Sequence, residues 1–174
     1  TKVISLTPTP PGNDFLTKEE LGREEVVYPL DLYFCEECHH VQLGHVVDPK
    51  ILYQKNYSYV SSTSKNFVDH LKRYVEDMVE RFSLNEDSMV IEIAANDGYL
   101  LQYVKDKSIP CLGIEPTKST AKVARSKGIE IVEEFFGVAL ARKLIAKGFS
   151  ADLTTANNVL AHVPDINDFV KGYS

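Results

Sequence analysis

Tryptophan is absent from the 174 residues, methionine occurs twice and cysteine only three times. No apolar run approaches the ~18 residues needed to cross a bilayer, and Thr1 to Gly12 hold too many prolines and polar groups to form a signal-peptide core. These absences predict a cytoplasmic chain with no membrane partner. Basic charge is also in short supply. The 19 Lys and Arg against 25 Asp and Glu leave −6, spread along the chain, so there is no extended basic surface for phosphates and nucleic-acid binding is disfavoured. The odd cysteine count, with two of the three in Cys35-Glu36-Glu37-Cys38, points away from a secreted disulfide framework and toward reduced thiols or a metal site. What is present, 44% hydrophobic residues, suits one mid-sized domain with a small appendage. The start at Thr1 in place of Met suggests a processed or excised piece.

Residues 1–60 lack long helical periodicity and carry five of the eight prolines, Pro8, Pro10, Pro11, Pro29 and Pro49, which predicts a small irregular or β-rich module. A connecting segment follows over 61–87. In it Phe67, Leu71, Val75, Met78 and Phe82 recur every three or four residues, one apolar helix face opposite Lys72, Arg73, Glu76 and Asp77, with Ser64 as the N-cap. From residue 88 to 174 short β-rich runs alternate with helical stretches, the pattern of βαβ units around a parallel sheet. Strands are expected at Met89–Ile93, Cys111–Glu115, Glu130–Val132 and Asp152–Thr155. Helices are expected at Tyr99–Lys107, Ser119–Lys127, Val138–Lys147 and from Asp165 onward. Gly128 and Gly148, each after a lysine, mark helix stops.

The chemistry concentrates where the first of these strands breaks into small and turn-forming residues, Glu92-Ile93-Ala94-Ala95-Asn96-Asp97-Gly98, before a helix opens at Tyr99. Ligands of open α/β sheets lie at such a strand end. The Gly-x-Gly-x-x-Gly pattern that seats a pyrophosphate is missing, which disfavours a nicotinamide cofactor. Glu92-x-Ala94-x-Asn96-x-Gly98 instead suits a ligand with an ammonium group and no phosphate. Glu115, 17 residues beyond Gly98 at the next strand end, is placed to accept both hydroxyls of a ribose. The bland readings are a solvated carboxylate and an ordinary Asn-Asp-Gly turn. The order and spacing of the pieces favour nucleoside binding.

These runs, with Gly113-Ile114-Glu115-Pro116, Phe135-Phe136 and Ala156-Asn157-Asn158-Val159-Leu160-Ala161-His162-Val163-Pro164, resemble class I S-adenosylmethionine (SAM)-dependent methyltransferases. More narrowly they resemble the sugar C-methyltransferases of deoxysugar biosynthesis, which carry a zinc-binding module before a Rossmann-like domain. Thr9-Pro10-Pro11-Gly12-Asn13-Asp14-Phe15-Leu16, Tyr28-Pro29-Leu30, Cys35-Glu36-Glu37-Cys38, Val41-Gln42-Leu43 and Tyr57-Ser58-Tyr59-Val60-Ser61-Ser62 extend the likeness over nearly the whole chain.

The resemblance implies a Rossmann-like SAM-binding α/β domain, of which the chain holds the first half of the sheet, after a β-rich zinc-type module. It implies that Glu92, Ala94, Asn96, Asp97 and Gly98 wrap the methionine part of SAM, with Ala94 where glycine is usual. Alanine there narrows the backbone approach, unless its φ is negative and the exchange harmless. Glu115 takes the ribose, Pro116 shapes the turn, and Phe135, Phe136 and Asn157 complete the cofactor site; core packing is the competing reading for the phenylalanines. Tyr59, Asn158 and His162 line the acceptor site, a nucleotide-linked keto-deoxysugar. C-methylation removes a proton beside a carbonyl, so it needs a base near neutral pKa and donors for the enolate oxygen; His162 suits donor or supporting base, while the main base is expected beyond Ser174. Cys35 and Cys38 supply two thiolates to a structural zinc whose other cysteine pair is expected before Thr1, while Cys111 reads as a small buried hydrophobe. An O- or N-methyltransferase of small molecules, and a non-catalytic zinc-ribbon and Rossmann binding module, stay open as alternatives.

Overall fold

The computed structural model describes residues 1–55 and 57–173. Two units divide the chain, Thr1–Ser58 and Tyr59–Ser174. The first is an antiparallel sheet of β1 (Lys2–Thr9), β2 (Tyr28–Phe34) and β3 (Val41–Leu43), with β2 in the middle. Pro29 is tolerated in this central strand for two reasons. β3 pairs only with Leu32 to Phe34, and the β1 register shifts between Leu6 and Thr9, opposite Pro29. A proline without an N–H therefore breaks no ladder bond there. None of the described residues in this unit is buried. A module of this size with no core has too little apolar burial to offset chain entropy, which is the situation that structural metals relieve.

The second unit opens with α1 (Lys65–Phe82). Ser64 caps it, its hydroxyl accepting from the Phe67 N–H, and Leu71 and Val75 on the apolar face are buried. Four parallel strands follow, β4 (Val90–Ile93), β5 (Cys111–Ile114), β6 (Glu130–Val132) and β7 (Leu153–Thr155), in the order β6-β5-β4-β7. This is the 3-2-1-4 arrangement of a doubly wound sheet, and the fold is Rossmann-like α/β. The helices between the strands are α2 (Tyr99–Lys105), α3 (Lys118–Ser126) and α4 (Val138–Ala146), and α5 (Ile166–Lys171) comes last.

Near-continuous apolar strands bury both faces. Val90 packs with Leu71, Val75, Leu101, Val104, Ala121 and Ala124 on one side. Ile91, Ile93, Leu112 and Ile114 pack with Leu140, Leu144 and Phe169 on the other. Each observed strand lies within the expected one, shorter by at most one residue at an end. Gly128 and Gly148, with φ of +74° and +88°, end helices as expected from a residue that adopts the left-handed region without strain. Cys111 is half-buried, and that burial pushes its thiol pKa up.

Gly98 starts α2 at φ +73°, and a Cβ there would lie 2.6 Å from Ile129 Cδ1 and 2.9 Å from Ala124 Cβ. Left-handed strain of about 1–2 kcal/mol adds to overpacking of about 1–3 kcal/mol in Gly98→Ala. Urea unfolding is expected to show a loss of about 2–4 kcal/mol, and a loss below about 1 kcal/mol would show that α2 and α3 are not locked together at this point.

Candidate functional site

All four strands of the second unit run the same way, so the loops after β4, β5, β6 and β7 emerge at one edge of the sheet. The sequence candidates of this unit fall on those loops, apart from Tyr59 and from Glu92, which lies on β4 itself. After β4 the backbone takes positive φ at every second residue, Ala94 (+56°), Asn96 (+51°) and Gly98 (+73°). Asparagine and glycine are at home there, but alanine is not, so the exchange at Ala94 carries the left-handed strain of about 1–2 kcal/mol.

Glu115 follows β5 directly. Its Oε2 accepts the Asn96 N–H at 2.8 Å and its Oε1 the Thr117 N–H at 2.8 Å, so one buried carboxylate joins the turns after β4 and β5. An ionised carboxyl has about four acceptor positions, which leaves room for ribose hydroxyls on the same group. Asn96 reaches further. Its Oδ1 accepts the Ser61 N–H at 2.9 Å and its Nδ2 donates to the Tyr59 carbonyl at 3.2 Å, fixing the backbone of the Tyr-x-Ser-Ser stretch to the same loop while the Tyr59 side chain is half exposed.

Two further carboxylates lie within this edge. Glu92 is buried on β4, in register with Gly113 on β5 and Thr155 on β7. Asp97 is fully buried, and its Oδ2 lies 3.1 Å from the Lys127 Nζ. Among the described residues Glu92 Oε2, Asp97 Oδ1 and Thr155 Oγ1 are buried with no hydrogen-bond partner. Such atoms are costly unless a ligand or ion answers them. Two acidic oxygens and a hydroxyl fit an ammonium group. The residues present are thus compatible with the amino-acid end of SAM, and Glu115 with its ribose.

Phe135 is exposed after β6, whereas Phe136 stacks edge-on against Phe169 and Tyr173, with centroids at 5.6 and 5.5 Å. Asn157 is exposed after β7, and its side chain acts to lower the pKa of Glu92. Asn158, at φ +56°, is exposed, as is His162 in the short turn Leu160–His162. Pro116 is half-buried in the turn that Glu115 braces. Thr155 and Lys127 have no place among the candidates read from sequence. A threonine ending a β-rich run and a lysine ending a helix carry no local mark of the site.

In the first unit Cys35 and Cys38 are exposed at the turn between β2 and β3. Backbone N–H groups of Cys38 and Glu37, with the Cys38 thiol, donate to the Cys35 sulfur and hold its pKa below the usual thiol range. Two cysteines three residues apart on one turn fit half of a tetrahedral zinc site. No group of three or more His, Cys, Asp and Glu able to hold a metal occurs among the described residues. His39 is stacked on Phe34 and His45 on Tyr28. A small cavity of about 100 Å³ in the same unit is lined by Asn13, Asp14 and Tyr53 with apolar neighbours.

The Rossmann-like fold and the chemistry of its edge fit a nucleoside ligand, and comparison with known proteins finds similarity to a C-methyltransferase along nearly the whole chain. The chain is 28% identical over 172 residues to the C-methyltransferase NovU of Streptomyces niveus, covering 99% of this chain and 41% of that protein. It therefore spans less than half the length of the curated relative it matches. Residues 1–53 match the family described as "Putative zinc binding domain". Solved structures that overlap it include a SAM dependent methyltransferase from Archaeoglobus fulgidus, at 16% identity over 44% of this chain and 33% of that one, with a TM-score of 0.36. Another is the YcgJ protein of Bacillus subtilis, at 21% identity over 58% and 44% of the two chains, with a TM-score of 0.46.

Burial first, then Asp97 and Glu115, push the Glu92 carboxyl well above its ordinary pKa of 4.5, against the pull of the Asn157 hydrogen bond. The folded chain then binds a proton that the unfolded chain has released. This stabilising effect is full below 4.5 and is lost as pH rises through the raised value. Urea unfolding of the unliganded chain between about pH 5 and pH 8 is expected to show stability falling with pH, and Glu92→Gln to flatten the slope. Equal slopes in the two proteins would overturn this assignment.

Proposed function

We propose that the chain is the SAM-binding part of a cytoplasmic methyltransferase that alkylates carbon beside the carbonyl of a nucleotide-linked keto-deoxysugar. The observation that carries the reading is the set of orphaned acidic oxygens on Glu92 and Asp97 beside the Glu115 bracket, at the carboxyl edge of a 3-2-1-4 sheet. Similarity to a C-methyltransferase along the whole chain supports the reaction class. No helix among the described residues is long and apolar enough to cross a membrane.

When bound, SAM supplies an electrophilic methyl group. Glu92, Asp97 and Thr155 hold the ammonium, the backbone of Ala94 to Gly98 follows the methionine portion, and Glu115 accepts the ribose hydroxyls. Phe135 is the phenylalanine free to border the adenine, because Phe136 is held against Phe169 and Tyr173. Tyr59, Asn158 and His162 face the acceptor, where His162 donates to the developing enolate oxygen or supports the base that takes the proton. Cys35 and Cys38 supply two of the four ligands of a structural zinc in the first unit, in place of the core it lacks.

Calorimetric titration of SAM into the folded chain is expected to show saturable binding at one site; a folded chain that does not bind would overturn the reading. Glu115→Ala removes a ribose contact and two charge-assisted hydrogen bonds together. SAM binding is expected to be lost along with about 2–4 kcal/mol of stability. Retained affinity would show that Glu115 is a bracket only.

A further inference from the structure

Lys127 stands just past α3, 30 residues from the loop that it serves. Its Nζ donates to the Asp97 carbonyl at 2.7 Å and pairs with Asp97 Oδ2 at 3.1 Å, and it lies 4.7 Å from the centre of the Tyr99 ring. Three elements converge on this cation, because the Lys105 Nζ in α2 donates to the Lys127 carbonyl at 2.9 Å and Gly98 packs directly on Ala124 of α3. The result is selective at the carboxylate. Lys127 occupies one Asp97 oxygen and the peptide oxygen, while Oδ1 is left without a partner. A buried aspartate with one oxygen anchored and one free has a fixed direction in which to receive a donor.

We propose that Lys127 is the positioning residue of the site: by holding Asp97 from the end of α3, it sets the Asn96-Asp97-Gly98 turn in the shape that accepts the amino-acid end of the cofactor. This rests on the SAM reading for its ligand but not for its geometry. Glu92 and Glu115 are brought into the same buried edge with no cation within salt-bridge distance among the described residues. Among the described residues Lys127 is thus the only side-chain cation paired with the three carboxylates. Without it Asp97 would be an uncompensated buried charge, free to turn both oxygens toward whatever donor it can reach. Its aliphatic stem and the Tyr99 face shield the pair from solvent, so the contact is screened little by salt.

The test compares two ligands on Lys127→Met, which keeps the stem and loses the ammonium. SAM carries the amino-acid end, and 5′-methylthioadenosine lacks it. SAM affinity is expected to fall about 10- to 100-fold, the range of a charge-assisted hydrogen bond, with methylthioadenosine affinity changed less than about threefold. Lys127→Arg, which restores charge and donors, is expected to recover most of the SAM affinity. Equal weakening of both ligands, or weakening of neither, would overturn the proposal. Lys127→Gln, uncharged but still a donor, enters the same comparison if the methionine variant does not fold. Amide exchange in the unliganded chain separates the two claims. The Gly98 N–H is expected to exchange about tenfold faster in the variant relative to Leu112 and Ile114 in β5. If the wild type ignores SAM, the cofactor reading falls, and this exchange ratio still decides whether Lys127 sets the turn.

Discussion

The Glu115 carboxylate is the point on which the second unit's edge depends. A parallel sheet leaves the peptide groups after each strand without ladder partners, and turns that bend sharply there expose N–H groups that must be answered. Glu115 answers one from each of two turns, Asn96 and Thr117, and it does so from a buried position where charged acceptors bind strongly. With Asn96 fixed, its side chain can in turn hold the backbone of Tyr59 and Ser61. The positive φ at Ala94, Asn96 and Gly98 follows from the same demand, since a loop that must return its amide to Glu115 while still giving the Ala95 N–H to Ile114 has little other choice of path. The group proposed to bind a ribose is therefore also the group that shapes the turns on either side of it.

Much of this was legible in the chain. Periodicity located each strand and α-helix of the second unit, though not the short turns Ser61–Thr63 and Leu160–His162, because both faces of its sheet are buried and a buried parallel strand must read as a short apolar run. The helix stops at Gly128 and Gly148 and the Ser64 cap are local devices with local signatures. Spacing singled out Glu92, Ala94, Asn96, Gly98 and Glu115, and all five lie at one edge of the sheet. What escaped was set by distance in sequence. Lys127 meets Asp97 across 30 residues, and Thr155 meets Glu92 only through strand register. No window along the chain contains either pair. The backbone at Ala94 escaped for a different reason: alanine gives no sign that its φ will be positive, so the strain there becomes visible only when the path to Glu115 is known.

The first unit shows the opposite balance. Its prolines and short runs announced a β-rich module, and the three strands form, yet none of its described residues is buried. Hydrogen bonding between strands contributes little net free energy when both partners could bond water instead. The Cys35–Cys38 turn is the part of the unit already organised for a stronger interaction, since its backbone donors converge on sulfur and favour the thiolate. A module that lacks a core among its described residues and presents two cysteines on one turn is consistent with metal as the source of its stability.

Charge decides between the ligands that such a sheet edge could hold. The same 3-2-1-4 topology serves dinucleotides elsewhere, where glycine-rich turns and helix N-termini attract a pyrophosphate. Here Glu92, Asp97 and Glu115 are buried together and, among the described residues, a single lysine is paired with them, so the edge is short of positive charge before any ligand arrives. A phosphate would add to that imbalance in a medium where like charges repel strongly. An ammonium would relieve it, and relieve it most at the two oxygens that lack partners. Burial first, and the neighbouring Asp97 and Glu115 after it, push the Glu92 pKa up, so the same edge that disfavours a phosphate also disfavours a further unpaired carboxylate charge. A cationic ligand favours the ionised form of such a carboxyl, so the affinity of the site for an amine is expected to rise with pH, while the stability of the unliganded fold falls with it.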